Sequence, residues 1–182
     1  GYQMLGESIE DPDGEEGGGS LHGMGLLPVR TVFGKEKVQT RVTGEILQNP
    51  GAGDGLFAAL CGSVFSGYEI HMGHTTGNGK NSFSRIRTLT NGSTEAEEDW
   101  QADGAVCGNV AGTYVHGLFE NGSLTKNLCG ALLSKKGICA EALTQDYGAF
   151  KESQYDLLAE KVRKALDMEQ IYRMMEKQEG DR

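Results

Sequence analysis

The chain has 182 residues, 37% hydrophobic and 24% charged, which is enough for one domain with a sizeable core. Its formal charge of -9 at pH 7 argues against a nucleic-acid partner, because phosphate binding works through clustered Lys and Arg. No apolar run approaches the roughly 20 residues of a membrane helix and no charged leader precedes an apolar segment, so a cytoplasmic protein without a membrane partner is expected.

Cys61, Cys107, Cys129 and Cys139 have no CxxC spacing and sit in apolar or glycine-rich surroundings. Disulfides and a zinc cluster are unsupported, and reduced, mostly buried thiols are expected. The 28 glycines against 3 prolines, without a collagen-like or linker-like period, imply many tight turns.

Gly1-Tyr2-Gln3-Met4-Leu5-Gly6 has no polar lead-in and reads as the inside of a folded element, so a fragment is expected. Met4, Leu5 and Ile9 have helix-compatible spacing, which predicts a short helix from Tyr2 to Ile9 with a glycine-rich N-terminal turn. Asp11-Pro12-Asp13-Gly14 stops it, and Glu15 to Ser20 reads as a solvated polar loop. Gly23 to Val29 is GxGxxP rather than GxGxxG, and the β-rich Val29 to Phe33 follows where a dinucleotide fingerprint needs a helix.

Lys37 to Leu47 alternates Val38, Thr40 and Val42 against Gln39, Arg41 and Thr43, the pattern of a half-buried strand. Asn49 to Gly55 is a turn-rich break, and Leu56 to Leu60 fits a strand or a single helical turn. Val64 to Met72 reads as extended, with Glu69 and His71 on one face and Tyr68, Ile70 and Met72 on the other. Gly73 to Asn81 is predicted as a loop. It lacks the P-loop's first Gly at position 74 and its Ser or Thr at position 81, so ATP is not expected there. Glu69, His71 and His74 have no helical face to converge them on a metal, and hydrogen bonding at a strand end is the expectation instead.

Ser82 to Leu89 alternates as a short strand, and Asn91 to Gln101 is an acidic connection in which Trp100 anchors the return to the core. Ala105 to Val115, rich in small, β-branched and aromatic residues, predicts a strand closing on the tight turn His116-Gly117. A ring held there can act as a base or serve as a structural residue. Glu120-Asn121-Gly122 is a turn, followed by a helix from Leu124 to Lys135. Ser153 is the expected cap of a further helix whose stripe of Tyr155, Leu158, Ala159, Val162, Ala165 and Leu166 suits core packing. Ile171 to Glu176 continues it, giving a domain over 1–176 and a disordered tail over 177–182. Asn91-Gly92-Ser93 and Asn121-Gly122-Ser123 read as turns rather than glycosylation sites.

Residue chemistry by itself supports only a hydrolase-like or transferase-like pocket. Four motifs in order narrow it: Gly-Tyr-Gln-Met-Leu-Gly at 1–6, Gly-Leu-Leu-Pro-Val at 25–29, Gly-Tyr-Glu-Ile-His-Met-Gly at 67–73 and Gly-Thr-Tyr-Val-His-Gly-Leu-Phe at 112–119. Together, and over residues 1–167, they resemble the C-terminal glutamine amidotransferase domain of the cobyric acid synthases. The resemblance implies an α/β fold of class I glutamine amidotransferase type, with a mixed central sheet flanked by helices.

In that family the first motif is preceded by Cys-Gly, and Gly1 matches the second glycine after the nucleophile. The resemblance implies a thiolate that attacks the side-chain amide of glutamine to give a thioester and ammonia, with His116 sharing the proton. Gly1, Tyr2 and Gln3 fall where relatives bind glutamine and stabilise the oxyanion. None of the chain's cysteines matches the elbow, so residues 1–182 alone are expected to lack glutaminase activity. Many related enzymes carry an orienting Glu two residues after the histidine, where this chain has Leu118. Glu69 or a backbone carbonyl is the expected substitute, with His71 as a pocket residue.

No cofactor is implied for this domain. ATP and magnesium belong to a separate N-terminal synthetase domain, through which a corrinoid partner would be reached. The alternatives are an amidotransferase for another acceptor, as in a cobyrinic acid a,c-diamide synthase or in peptidoglycan-precursor amidation, and a non-catalytic binding module on the same fold.

Overall fold

The computed structural model describes residues 1–48, 55–77, 81–89, 100–139 and 147–179. They fall into two compact units, Gly1–Leu143 and Thr144–Arg182. The first carries β1 (Ser8–Asp11), β2 (Gly19–His22), β3 (Val29–Ile46), β4 (Val64–Gly77), β5 (Ser84–Thr88), β6 (Gln101–Asp103), β7 (Ala105–Cys107), β8 (Val110–Gly112), β9 (Val115–His116) and α1 (Gly122–Lys135). The second carries α2 (Tyr147–Ala165) and α3 (Met168–Glu179). Among the described residues no helix is long and apolar enough to cross a membrane.

A seven-stranded sheet has the order β2-β1-β3-β4-β9, with β5 on β3 and β6 on β5. β1 runs parallel to β3 while the other pairs are antiparallel, so the sheet is mixed, as the α/β class requires. β3 and β4 form its spine, in register from Val29 opposite Gly77 to Glu45 opposite Val64, with an irregularity between Val32 and Lys37. The period-2 alternation around Val42 does what it predicts: Val42 and Ile46 are buried while Gln39 and Arg41 are exposed.

The inward side chains of Val42, Ile46, Phe65, Ile86 and Val115 pack with Leu60, Leu118 and Leu124 into one core. Leu124 brings α1 onto this face and Leu60 brings the 3₁₀ helix Leu56–Leu60, the helical turn that the apolar run allowed. A smaller cluster of Leu27, Val29 and Ala105 packs with Tyr2 and Leu5.

Several local expectations give way to tertiary pairing. The predicted helix from Tyr2 to Ile9 is a 3₁₀ helix, Tyr2–Leu5, that ends at an extended Gly6, and Ile9 lies in β1. The Glu7 amide bonds to the Val29 carbonyl at 2.8 Å, drawing this segment into the sheet. The segment after Asp11 is a tied loop: its Oδ1 accepts the N–H groups of Gly14 and Glu15 at 3.0 and 2.9 Å, and its Oδ2 accepts those of Glu16 and Gly18, each at 2.8 Å.

The loop predicted from Gly73 is strand as far as Gly77, and Asn78 to Lys80 lie outside the described residues. Ala105 to Val115 is not one strand but the hairpin β7–β8 followed by the separate β9. Trp100 lies under the guanidinium groups of Arg85 and Arg87, at 4.8 and 5.1 Å from the ring centroid, and so grips β5.

In the second unit α2 begins at Tyr147, so Ser153 is internal and its hydroxyl donates to Phe150 O at 2.7 Å instead of capping. The stripe of Tyr155, Leu158, Val162 and Leu166 is exposed rather than core. α3 is a separate helix, opened by Asp167 Oδ1 accepting the Gln170 N–H at 3.0 Å. It runs to Glu179, so Lys177 to Glu179, predicted as tail, are helical.

The four cysteines are free as expected, but none is in the core: Cys61, Cys107 and Cys139 are exposed and Cys129 is half-buried. The break at 49–54, the acidic connection at 90–99 and residues 180–182 lie outside the described residues.

Burial works to raise the Asp11 pKa, but the four amides outweigh it and hold the carboxyl below its usual range. A depressed folded-state value contributes stability that is complete above the unfolded-state pKa of about 4 and lost as the pH falls through the folded value. Chemical unfolding of the wild type and Asp11→Asn should therefore show a stability gap that is constant near neutrality and closes below about pH 4. A gap independent of pH contradicts the tied loop. Leu124 is fully buried. Leu124→Ala should lower the unfolding free energy by about 2–5 kcal/mol, read from urea midpoints.

Candidate active site

His116 is placed by a short ladder and a clamp. β9 pairs with β4 at Tyr68 opposite His116 and Glu69 opposite Val115. Residues paired across an antiparallel ladder share a face, so His116 stands with Tyr68 on one face and Glu69 with the buried Val115 on the other. The strands approach closely at Gly67, where a Cβ would collide with the His116 carbonyl and the Val115 side chain. Gly117, left-handed at φ 81°, then turns the chain away, the tight turn the sequence predicted.

Asn121 closes the clamp. Its Nδ2 donates to the carbonyls of Ser66, Gly117 and Leu118 at 3.0, 3.2 and 2.9 Å, and its Oδ1 accepts the Ser66 N–H at 2.9 Å. Asn121 is thus the staple between β4 and the start of α1. The His116 side chain itself is exposed.

The N-terminal 3₁₀ helix supplies the facing wall. Gly1, Tyr2 and Gln3 line a cavity of about 390 Å³ together with His71, Tyr114 and His116. Gln3 Nε2 donates to Met72 O at 2.9 Å and to the Tyr114 hydroxyl at 3.3 Å. The Tyr114 ring stacks on His71 with centroids 3.8 Å apart and meets the Tyr2 ring edge-on at 5.0 Å. Its hydroxyl is hydrogen-bonded to that of Thr75, which is bonded in turn to Thr31 at 2.7 Å.

His71 is held from both sides: Nδ1 lies 3.0 Å from Gly73 O, and Nε2 lies 3.0 Å from Glu69 Oε1. Each ring nitrogen thus faces an oxygen, which fixes the orientation of the His71 ring. Glu69 receives a further hydrogen bond from Thr40 Oγ1 at 3.4 Å. A larger cavity of about 500 Å³ borders the same aromatic group, sharing Tyr2, His71 and Tyr114 but holding Glu69, His74 and Asp103 in place of His116.

Asp103 is 6% exposed at the end of β6. Its Oδ2 accepts from the hydroxyls of Ser84 and Thr113 at 2.7 and 2.5 Å, and its Oδ1 accepts the Tyr114 N–H at 3.2 Å. Burial is the dominant influence on this carboxyl and raises its pKa despite those bonds. The Tyr2 phenol is pushed up by burial first and then by Tyr114 and Asp103, so it stays neutral and polarises no charge into the cavity.

Of the residues singled out from sequence, the cavity unites Gly1, Tyr2, Gln3, His71 and His116. Glu69 stands apart from His116: it bonds to His71 and points to the other face, so it is not the acid that orients the His116 ring. Leu118 is 8% exposed within the apolar core, a position unsuited to a carboxylate. Among the described residues no hydrogen-bond partner reaches the His116 ring, and none of the four cysteines lines the cavity. Tyr114, Thr113 and Asp103 were not anticipated. The first two lie inside the quoted histidine motif, whereas Asp103 has no local signal because its partners are 10, 11 and 19 residues away.

Comparison with known proteins follows this geometry. Residues 1–124 match the model of the CobB/CobQ-like glutamine amidotransferase domain. The cobyric acid synthase of Lachnoclostridium phytofermentans is 42% identical over 180 residues, 97% of this chain and 34% of the relative. That of Ruminiclostridium cellulolyticum is 44% identical over 178 residues, 97% of this chain and 33% of the relative. The cobyric acid synthase of Citrobacter koseri is 41% identical with the same coverage, so the chain spans about a third of the length of these relatives. With the family model covering residues 1–124 of 182, the chain belongs to the CobB/CobQ-like glutamine amidotransferase domain family.

Proposed function

We propose that the chain is the ammonia-supplying glutaminase part of a glutamine- and ATP-dependent corrinoid amide synthase. The observation that carries this is the convergence of His116 with Gly1, Tyr2 and Gln3 on one cavity. The cobyric acid synthase relatives favour the acceptor of cobyric acid synthesis over the other acceptors considered. ATP and magnesium would act outside residues 1–182, and no step below passes through them.

The chemistry asks for a nucleophile, a proton carrier and an oxyanion site. The nucleophile would be a cysteine two residues before Gly1, at the open end of the 3₁₀ helix. Its thiolate attacks the glutamine side-chain carbonyl carbon, forming a C–S bond and placing the negative charge on oxygen. The first amides of the 3₁₀ helix have no intrahelical acceptor, because the Met4 N–H is the one that bonds to Gly1 O. They are available to that oxyanion. As the intermediate collapses, the C–N bond breaks and His116 delivers a proton to the leaving nitrogen, giving ammonia and a glutamyl thioester. Water then attacks the thioester, His116 takes its proton, and glutamate and the thiolate are released.

Gln3 and Tyr114 contribute by shape rather than by proton transfer. The Gln3 amide nitrogen is spent on Met72 O and the Tyr114 hydroxyl, which fixes the side chain and presents its carbonyl oxygen as the remaining acceptor. That acceptor suits the α-ammonium group or the amide N–H of bound glutamine.

In the full-length protein, glutamate release from glutamine should fall by about 10²–10⁴-fold in His116→Ala. Release unchanged by the substitution would overturn the role of His116, and its absence from the wild type would favour the non-catalytic binding module.

A further inference from the structure

The backbone just before His116 leaves the sheet for the interval between β8 and β9. There, among the described residues, Thr113 and Tyr114 have no ladder partner, and β9 itself is two residues long and paired with β4 at two positions. So short a ladder fixes the height of His116 but constrains its approach weakly.

The missing constraint comes from Asp103. This buried carboxylate takes the Thr113 hydroxyl on one oxygen and the Tyr114 N–H on the other, while Ser84 anchors it to β5. Thr113 Oγ1, whose proton is committed to Asp103, accepts the Val115 N–H at 2.9 Å. The three residues preceding His116 therefore all hang from one side chain, two directly and one through a relayed hydroxyl. Charge-assisted hydrogen bonds of this kind are short and directional, and they hold a segment in a single geometry.

From this geometry we infer that Asp103 is a positioning residue for glutamine hydrolysis, acting through Thr113 to aim His116. The inference rests on the glutaminase function proposed above. Displacing a catalytic base by as little as about 1 Å costs on the order of 100-fold in rate, so relaxing the segment should be visible in turnover.

The test uses the full-length protein with Asp103→Asn, Thr113→Val and the double variant. In each, kcat for glutamate release is expressed per active site titrated with a glutamine-analogue diazoketone, so that misfolded molecules are not counted. Thr113→Val conserves shape and keeps the test open should Asp103→Asn fail to fold. Each single substitution should lower kcat by about 10- to 100-fold, with the KM for glutamine in Thr113→Val within about twofold of wild type. The double variant should fall no further than the weaker single one, because both cut the same relay.

Single-variant kcat values within about twofold of wild type, or losses that multiply in the double variant, would overturn the inference. If His116→Ala abolishes release while Thr113→Val leaves it intact, this inference alone fails. If His116→Ala has no effect, the glutaminase reading fails first.

Discussion

Tyr114 is the side chain on which the two walls of the cavity depend. Its ring covers His71 on one side and meets Tyr2 on the other, while its hydroxyl reaches Gln3 and Thr75. The N-terminal 3₁₀ helix, β4 and the His116 segment come from chain positions more than a hundred residues apart at their extremes, and this phenol touches or adjoins all of them. Aromatic packing of this kind is worth about 0.5–1.5 kcal/mol per pair beyond burial, modest beside the core. Its consequence is positional, since losing it would let the first residues of the chain drift away from His116.

Among the described residues, the proposed base has no carboxylate beside its ring. A buried or bonded carboxylate beside the imidazole is one way to fix a catalytic ring. Here the position two residues on is Leu118, committed to the core, and Glu69 is committed to His71. Constraint is transferred to the backbone instead: the close approach at Gly67, the left-handed Gly117 and the Asn121 staple hold the chain beside and after His116, while the Asp103 bonds hold the residues before it. The ring is left exposed to the cavity, where an incoming nucleophile and substrate would be its partners.

Much of this was legible in the chain. The alternation around Val42, the extended run holding Glu69 and His71, the helix after Asn121 and the tight turn at His116-Gly117 follow from local periodicity and glycine placement. What local pattern could not reach were features decided by distant partners. Ile9 has helical spacing but joins β1 because β3 lies beside it. The apolar run from Ala105 breaks into β7, β8 and β9, since its residues answer to two different sheets. Asp11 and Asp103 look like ordinary acidic residues, yet each organises a loop through backbone and hydroxyl donors that composition does not reveal. Family resemblance supplied His116 and the Gly1–Gln3 wall, and the structure places them on one cavity.

The central claim is that this cavity is where glutamine is opened by a thiolate lying just before Gly1. A glutamine-analogue diazoketone, which alkylates the nucleophile of a working glutaminase site, tests it directly when the modified full-length protein is digested and the labelled peptide sequenced. The account predicts a single stoichiometric adduct on a cysteine two residues upstream of Gly1, suppressed by excess glutamine. Labelling at Cys61, Cys107, Cys129 or Cys139 with the same glutamine protection, or no protectable labelling at all, would contradict it.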